Sequence, residues 1–259
     1  LRGLVEAHRG EGNAVTVLTT IAADPTGYGR IVRDGGEVTR IVEQRDAGET
    51  ERAITEINAG IYVFDAQVLQ AGIADLSDDN AQGELYLTDV IGFARGLGRR
   101  VGGSVLTDAL QAEGVNDRIQ LAALSTELNR RILRRWMAEG VTVIDPASTW
   151  VHDSVDLAPD VTLLPGTSLE GATSIASGAV IGPDTTLIDV EVDEGAHVVR
   201  THATLAVIGP NAEVGPFSYL RPGTQLGVKG KIGAFVETKN ATIGDGAKVP
   251  HLTYCGDAT

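Results

Sequence analysis

Two cations in the C-terminal half of the chain have the type and spacing of a phosphate-binding pair. Arg221 and Lys239 lie 18 residues apart, in a segment whose apolar residues recur every six positions. One coil of a solenoid with this period takes about 18 residues, so we expect the two side chains on adjacent coils, facing the same way. A guanidinium and an ammonium placed in this way can bind phosphate oxygens. The alternative is a pair of solvated surface charges, which contribute little.

A histidine lies further along the same segment. His251 is 12 residues beyond Lys239, which is two faces further round a triangular coil. An unperturbed imidazole has a pKa of about 6.5, so it can accept a proton near neutral pH. A lone histidine is more often structural than catalytic, and the residues alone leave both interpretations open.

Five short motifs in the N-terminal half combine glycine with polar side chains. Glycine lets the backbone approach a ligand closely, and the carboxylate, amide and hydroxyl groups beside it could bind one. Each motif alone also has a simpler explanation. Glu43 could be solvated and Asn58 could close a turn, while Thr88 and Asn116 could each cap a helix. The motifs are PTGYGRI (25–31), IVEQ (41–44), EINAGIY (56–62), NAQGELYLTD (80–89) and GVND (114–117).

The six-residue period predicts the fold that positions the C-terminal groups. Apolar residues hold one register from Val151 to Leu187 and a second from Ile208 to Ile232, and six repeat positions precede glycine. Such a period is neither helical nor simple strand alternation. It predicts a β-helix in which three hexads form a triangular coil with a narrow apolar core. The register is lost at 189–207, where we expect a loop or irregular coil, and is broken again at 238–240.

The N-terminal part alternates strand and helix patterns, which predicts an α/β domain. An amphipathic helix from 117 to 139 follows, with Asn116 or Asp117 as its cap and Gly140 at its end in a left-handed conformation. We therefore predict a domain at 1–116, a connecting helix at 117–140 and a solenoid domain at 141–259. The expected elements of the first domain are helices at 1–8 and 85–97 and strands at 14–19, 38–43, 57–64 and 101–106.

Composition excludes several classes of protein. The 259 residues carry a net charge of −14, which disfavours nucleic acid as a partner because a phosphate backbone needs a basic face. The only cysteine, Cys255, excludes an intrachain disulfide, fits a reducing compartment and is interpreted as a small core residue. No apolar run approaches the roughly 20 residues of a membrane span, and no signal peptide is visible. We expect a cytoplasmic protein with no membrane partner.

Taken in order, the five motifs resemble the sugar-1-phosphate nucleotidyltransferases, a Rossmann-like α/β family. With the hexapeptide solenoid behind them, the chain resembles the GlmU family, which combines N-acetylglucosamine-1-phosphate uridylyltransferase and glucosamine-1-phosphate N-acetyltransferase activities. The resemblance covers essentially the whole chain. It implies a partial α/β nucleotidyltransferase domain, a long connecting helix and a partial left-handed parallel β-helix of hexapeptide repeats.

The resemblance implies a pocket for UDP-N-acetylglucosamine in the first domain. Gly29 matches a glycine whose backbone contacts the sugar nucleotide. Glu43 matches the carboxylate that holds sugar hydroxyls, and Asn58 matches the amide beside it. The further positions that it places around the sugar and phosphate are Glu84, Tyr86 and Thr88.

The same resemblance implies a magnesium ligand. Asn116 matches an asparagine that lines the sugar-nucleotide pocket and helps to ligate Mg²⁺, and an amide oxygen beside a carboxylate suits a hard cation that bridges phosphates. The implied reaction is in-line attack of the sugar phosphate on the α-phosphate of UTP. The family's glycine-rich nucleotide loop and the aspartate that partners Asn116 have no counterpart in this sequence. We therefore expect a fragment at both ends.

In the solenoid, the resemblance implies an acetyltransferase site for acetyl-CoA and glucosamine 1-phosphate. His251 matches the general base, Glu237 the carboxylate that orients it and Tyr254 a substrate-binding hydroxyl. Arg221 and Lys239 would bind the substrate beside them. An amine acceptor is mostly protonated near neutral pH. A base that removes this proton frees the lone pair of the amine nitrogen for attack. Family members assemble as trimers with the active sites between solenoids, so we expect a homotrimer.

Two alternatives remain open on the sequence. One is a sugar-1-phosphate nucleotidyltransferase with a single activity, whose solenoid is regulatory or trimerising. Against it stand His251, Glu237 and the spacing of Arg221 and Lys239, which a regulatory solenoid does not need. The other is a structural module that pairs a trimerising solenoid with a non-catalytic α/β domain.

Overall fold

The computed structural model describes residues 1–115 and 117–259. The chain divides into two compact units, Leu1–Asn116 and Asp117–Thr259. Asn116, the predicted magnesium ligand, lies outside the described residues. None of the helices within the described ranges combines the length and the apolarity needed to cross a membrane.

The first unit is built on a five-stranded mixed sheet with the order β3-β2-β4-β1-β5. Strand β1 is almost fully buried between β4 and β5, as its apolar and β-branched sequence predicts. It pairs in parallel with β5, as expected, but antiparallel with β4. The elements are α1 Arg2–Glu11, β1 Val15–Ile21, β2 Arg30–Asp34, β3 Glu37–Val42, α2 Glu49–Arg52, β4 Glu56–Phe64, α3 Ala66–Ala74, α4 Asp89–Gly96, β5 Val101–Leu106 and a 3-10 turn at Ala109–Ala112.

The helix expected at 85–97 is shorter than predicted. It begins at Asp89, and Leu85 and Leu87 are exposed rather than part of a buried stripe. Asn80 explains the difference, because its amide donates to the carbonyl of Glu84 (2.5 Å) and accepts from the backbone N–H groups of Gln82 (3.1 Å) and Glu84 (3.3 Å). A side chain that binds the local backbone in this way favours a turn over a helix.

The second unit begins with the long helix α5, Arg118–Ala138. Asp117 caps it by accepting from the backbone N–H of Gln120 (2.8 Å), and Gly140 follows its end with a φ of 99°. The C-terminal part of the helix packs on the first coil of the solenoid. There the buried amide of Asn129 donates to the carbonyl of Thr149 (2.8 Å) and accepts from the N–H of Val151 (3.0 Å).

Three parallel sheets form the solenoid, as the six-residue period predicts, and the arrangement is that of a left-handed parallel β-helix. Their strand orders are β25-β22-β19-β16-β13-β10-β7, β23-β20-β17-β14-β11-β8 and β24-β21-β18-β15-β12-β9-β6. The strands are β6 Thr142–Val143, β7 Trp150–Val151, β8 Asp156–Leu157, β9 Thr162–Leu163, β10 Ser168–Glu170, β11 Ser174–Ile175, β12 Val180–Ile181, β13 Thr186–Ile188, β14 Glu191–Val192, β15 His197–Val198, β16 Thr201–Thr204, β17 Val207–Ile208, β18 Glu213–Val214, β19 Ser218–Leu220, β20 Gln225–Leu226, β21 Lys231–Ile232, β22 Glu237–Lys239, β23 Thr242–Ile243, β24 Lys248–Val249 and β25 Tyr254–Gly256.

The irregular coil expected at 189–207 is absent, and that prediction was wrong. Strands β14, β15 and β16 continue the three sheets through this segment without interruption. Three faces here are five residues long instead of six, so the period shifts while the apolar residues stay inside. The buried core positions are Leu187, Val192, Val198, Ala203 and Ile208.

A threonine fills the core at the second break in the period. Thr238 is fully buried and lies beside Leu220 on the neighbouring coil. Its hydroxyl is 2.9 Å from the hydroxyl of Thr224, so the buried polar group is satisfied. Hydrogen bonding therefore allows a polar residue where the repeat calls for an apolar one.

The stacked core predicts a clear contrast in stability between two aliphatic residues of one coil. Ile208 is fully buried, whereas Leu205 is 55% exposed. We expect Ile208→Ala to lower the free energy of unfolding by about 2–5 kcal/mol, because it leaves a cavity in the core. Leu205→Ala should change it by about 0.5 kcal/mol or less. Denaturant unfolding of both variants measures this, and equal effects would contradict the assignment of the core.

Candidate functional site

The predicted sugar-pocket residues of the first unit meet where β2, β3 and β4 lie side by side. The backbone N–H of Asn58 donates to the carbonyl of Gly29 (2.9 Å). Gly29 is buried against Glu43, since a Cβ atom added to it would lie 3.2 Å from Glu43 Oε1 and 2.9 Å from Ile41 Cγ2. A side chain at position 29 would therefore require Ile41 to shift and the Glu43 carboxylate to give way by a few tenths of an ångström.

A buried arginine fixes the loop that leads to this point. Arg30 is 2% exposed. Its guanidinium donates to the backbone carbonyl of Tyr28 and, at 2.6 Å, to Gln44 Oε1, which also accepts from the N–H of Gly27 (3.2 Å). These bonds tie the PTGYG turn to the end of β3. The same contacts explain why Gln44 follows Glu43 in the second motif.

Glu43 occupies a half-buried, acidic environment. Its carboxylate accepts from the hydroxyl of the buried Thr88 at 3.5 Å. Burial raises the pKa of Glu43, the Thr88 bond opposes that shift, and the charges of Asp46 and Asp89 add to it. Burial likewise raises the pKa of Asp89, with Asp46 adding to the shift. A carboxylate held in this way can accept hydrogen bonds from sugar hydroxyls while it stays next to the backbone of Gly29.

Asp46 joins the fourth motif to this cluster. The hydroxyl of Tyr86 donates to Asp46 Oδ2 (3.3 Å), and the backbone N–H of Ala81 donates to Asp46 Oδ1 (2.9 Å). A surface pocket is lined by Glu43, Asp46, Asn80, Tyr86, Thr88 and Asp89. Glu84 differs from its neighbours, because its side chain is exposed and only its backbone takes part in the turn held by Asn80.

The structure offers no further support for a metal in the first unit. Among residues 1–115 and 117–259, no group of three His, Cys, Asp or Glu side chains is arranged to hold an ion. An amide oxygen such as that of Asn116 is a hard donor that Mg²⁺ accepts. A single donor does not make a site, so the magnesium prediction depends on Asn116 alone.

In the solenoid, Arg221 and Lys239 lie on adjacent coils as their spacing predicts. Strands β19 and β22 pair with Leu220 beside Thr238, and the N–H of Arg221 donates to the carbonyl of Thr238 (2.9 Å). Both cations carry carboxylate partners: Arg221 binds Glu237 at 3.0 Å, and Lys239 binds Asp257 at 3.3 Å. All four side chains are substantially exposed, so these pairs are open to exchange with a bound anion.

The two pairs affect the pKa values of their members. The hydrogen bond from Arg221 to Glu237 raises the pKa of the arginine. Hydrogen bonds from Asn240 and then Lys239 lower the pKa of Asp257. Both shifts favour the charged form, so Arg221 stays cationic and Asp257 stays anionic at neutral pH.

Tyr254 lies on the same sheet as this cluster, and His251 lies in the bend that precedes the strand of Tyr254. Tyr254 lies beside Glu237 in the pairing of β25 with β22, so both belong to one sheet face. His251 lies in the exposed corner between β24 and β25. Within the part of the chain that the structure describes, no hydrogen bond joins His251 to Glu237, whose carboxylate binds Arg221 instead. The predicted roles of these residues stay predictions.

Several residues of both clusters were missed by sequence reasoning. Asp46 follows Glu43 by three residues and Asp257 follows Tyr254 by three, so both were visible as carboxylates next to a motif. Arg30 and Gln44 stand inside the first two motifs, but nothing in the letters indicates that they bind one another. Contacts between separate strands carry that information.

The chain is similar to known proteins over its whole length. A family model described as nucleotidyl transferase matches residues 1–101. Bifunctional protein GlmU of Kineococcus radiotolerans is 59% identical over 259 residues, which is 100% of this chain and 53% of that protein. The GlmU proteins of Pseudarthrobacter chlorophenolicus and Mycolicibacterium vanbaalenii are each 60% identical over 259 and 260 residues, again 100% of this chain and 53% of theirs.

Solved structures also resemble the chain. One is PerB from Caulobacter crescentus in complex with CoA and GDP-perosamine, with 16% identity, a TM-score of 0.31 and coverage of 62% of this chain and 84% of that one. The chain spans about half the length of the curated relatives it matches. Its identity of 59–60% to these GlmU proteins extends over the whole chain, through the α/β unit, the long helix and the solenoid.

Proposed function

We propose that the protein carrying this chain makes UDP-N-acetylglucosamine in two steps. The solenoid would acetylate glucosamine 1-phosphate from acetyl-CoA, and the α/β unit would join the product to UTP. The observation that carries the proposal is the identity of about 60% to bifunctional GlmU proteins across both units. The two separate polar clusters, one in each unit, agree with two separate reactions.

In the first unit, the proposed reaction is uridylyl transfer. A phosphate oxygen of N-acetylglucosamine 1-phosphate attacks the α-phosphate of UTP, a P–O bond forms, and pyrophosphate leaves. Glu43 would accept hydrogen bonds from sugar hydroxyls, and Asn58 would bind the sugar beside it. Gly29, Tyr86 and Thr88 would complete the pocket. Such a site acts by positioning the reactants.

The proposal includes one magnesium ligand. Asn116 would supply an amide oxygen to Mg²⁺, and the bound ion would neutralise phosphate charge. The described residues add no clustered ligand set. Glu84 is a further proposed pocket residue of the first unit.

In the solenoid, the proposed reaction is acetyl transfer. His251 would remove a proton from the sugar amine, whose nitrogen then attacks the thioester carbonyl; the C–S bond breaks and CoA leaves as a thiol. Arg221 and Lys239 would bind the sugar phosphate by releasing Glu237 and Asp257. The released Glu237 would then be free to orient His251. Tyr254, on the same face as Glu237, would bind the substrate through its hydroxyl.

The wider proposal includes the assembly and the setting. We propose a homotrimer with the acetyltransferase sites between solenoids, because each solenoid leaves exposed flat faces. We also propose a cytoplasmic enzyme whose product enters cell-wall precursor synthesis. Sedimentation of the purified protein tests the assembly, and a monomer at working concentration would contradict it.

Two assays on the protein expressed at the full length of its relatives test the proposed function. Thiol release from acetyl-CoA should require glucosamine 1-phosphate, and pyrophosphate release from UTP should require N-acetylglucosamine 1-phosphate. Pyrophosphate release without thiol release would favour a single-activity nucleotidyltransferase with a regulatory or trimerising solenoid. If a folded protein shows neither activity, the remaining interpretation is that of a structural module.

The phosphate clamp gives a specific prediction. We expect Arg221→Ala to raise the KM for glucosamine 1-phosphate about 10-fold or more, because charged hydrogen bonds to phosphate contribute roughly 1.5–3 kcal/mol. The control is Lys248→Ala, which removes an exposed cation from another sheet of the solenoid. Steady-state kinetics measure both. An unchanged KM in Arg221→Ala would remove Arg221 from the clamp.

A further inference from the structure

A distortion in β4 places two side chains of the third motif next to each other. On β1, Val17 pairs with Tyr62 and Thr19 pairs with Asn58, so a single residue of β1 lies opposite residues 59–61 of β4. Gly60 allows this bulge with a φ of 72°. Bulges are over-represented next to active sites, where they redirect a side chain.

The bulge fixes both ends of the Asn58 side chain. The amide nitrogen Nδ2 donates to the hydroxyl of Tyr62 (2.7 Å), and Oδ1 accepts from the backbone N–H of Gly60 (2.9 Å). The Asn58 backbone is already bound to Gly29. An amide has two N–H donors and two oxygen lone pairs. Within residues 1–115 and 117–259, one N–H donor and one lone pair of the Asn58 amide have no further hydrogen-bond partner, and the two bonds fix their orientation.

Tyr62 is held firmly enough to set that orientation. Its ring packs against Phe64, with centroids 5.5 Å apart. Burial raises the pKa of Tyr62, and the negative charge of Glu43 adds to the shift. The hydroxyl is therefore neutral under working conditions. The proposed reaction itself makes no use of Tyr62.

We propose that Tyr62 is a positioning residue of the sugar pocket, which orients the Asn58 amide toward the sugar phosphate and thereby sets its affinity. The inference rests on the proposed uridylyl transfer and adds a residue to it. Because Asn58 contacts the sugar in that proposal, loss of the Tyr62 hydroxyl weakens binding of the sugar phosphate and leaves UTP unaffected.

Tyr62→Phe tests this in the full-length protein, since it removes the hydroxyl and keeps the ring against Phe64. We expect the KM for N-acetylglucosamine 1-phosphate to rise about 2- to 10-fold, the range for one net hydrogen bond. The KM for UTP should stay within about 2-fold. Tyr219→Phe, which removes a tyrosine hydroxyl from the solenoid, should change neither constant. A merely structural role would raise both constants together and would overturn the proposal.

A double variant shows whether Tyr62 acts through Asn58. Asn58→Ala should raise the same KM, and adding Tyr62→Phe to it should cause no further rise. Additive effects would overturn the proposal, and so would an unchanged KM in Tyr62→Phe when Asn58→Ala raises it. Thermal melting of each variant verifies that the fold is retained.

Failure of the proposed uridylyl transfer can be distinguished from failure of the positioning role of Tyr62. In that case the wild-type protein would release no pyrophosphate. Calorimetric titration with N-acetylglucosamine 1-phosphate then replaces kinetics. Weaker binding in Tyr62→Phe than in wild type supports the positioning role, and equal or absent binding in both overturns it.

Discussion

Replacing His251 by alanine should abolish most acetyl transfer and leave uridylyl transfer intact. General acid–base catalysis by a placed side chain contributes about 10²- to 10⁴-fold, so thiol release should fall by that factor. His251 is exposed in a corner of the solenoid, so its loss should change stability by about 0.5 kcal/mol or less. Thiol and pyrophosphate release measured on one preparation separate the two activities.

His197 provides a matched control for that experiment. It is an exposed histidine of β15, in the same solenoid. His197→Ala should leave both activities unchanged. If His251→Ala removes both activities together, the cause is loss of the fold or of the assembly, and the assignment of His251 as the base fails. A full rate in His251→Ala would move the proton transfer to another group.

The second large effect is expected at Gly29. A Cβ atom there would press on Ile41 and on the carboxylate of Glu43. We expect Gly29→Ala to raise the KM for N-acetylglucosamine 1-phosphate about 10- to 100-fold, which corresponds to about 1.4–2.8 kcal/mol, because Glu43 is displaced from the sugar. Acetyl transfer should not change.

Gly96 is the control for Gly29, since a Cβ atom added at the end of α4 would meet open space. Gly96→Ala should preserve both activities. Overpacking near Ile41 is expected to lower the free energy of unfolding of Gly29→Ala by about 1–3 kcal/mol. Denaturant curves separate that loss from the kinetic effect. A normal KM in a folded Gly29→Ala protein would show that Glu43 does not hold the sugar.

The elements that depend on a local pattern were well predicted. The six-residue period identified the solenoid because each coil buries one apolar residue per face, whatever the rest of the chain does. Asp117 caps the start of α5, and Gly140 follows its end in a left-handed conformation, as the properties of the two residues predict. The prediction failed at 189–207 because a face of five residues fits the same core as one of six.

The helix at 85–97 failed for a related reason. Its apolar spacing is helical, but the side chain of Asn80 competes for the backbone at 80–84 and holds a turn. Side-chain bonds of this type depend on which atoms meet, and a hydrophobic period does not record them. The pairing of β1, antiparallel to β4 and parallel to β5, could not be predicted for the same reason. The apolar sequence of a buried strand does not show in which direction its neighbours run.

By itself the sequence determined the two kinds of unit, the presence of the long helix, and the types and order of the residues that could do chemistry. These follow from periodicity and spacing, which act along the chain. Only the tertiary structure decided that Gly29 lies under Glu43, that Asn58 is oriented by Tyr62, and that Arg221 binds Glu237. The first and third contacts join residues of neighbouring strands or their ends, so they depend on sheet register. The second joins two residues of β4 across a bulge that no local pattern specifies.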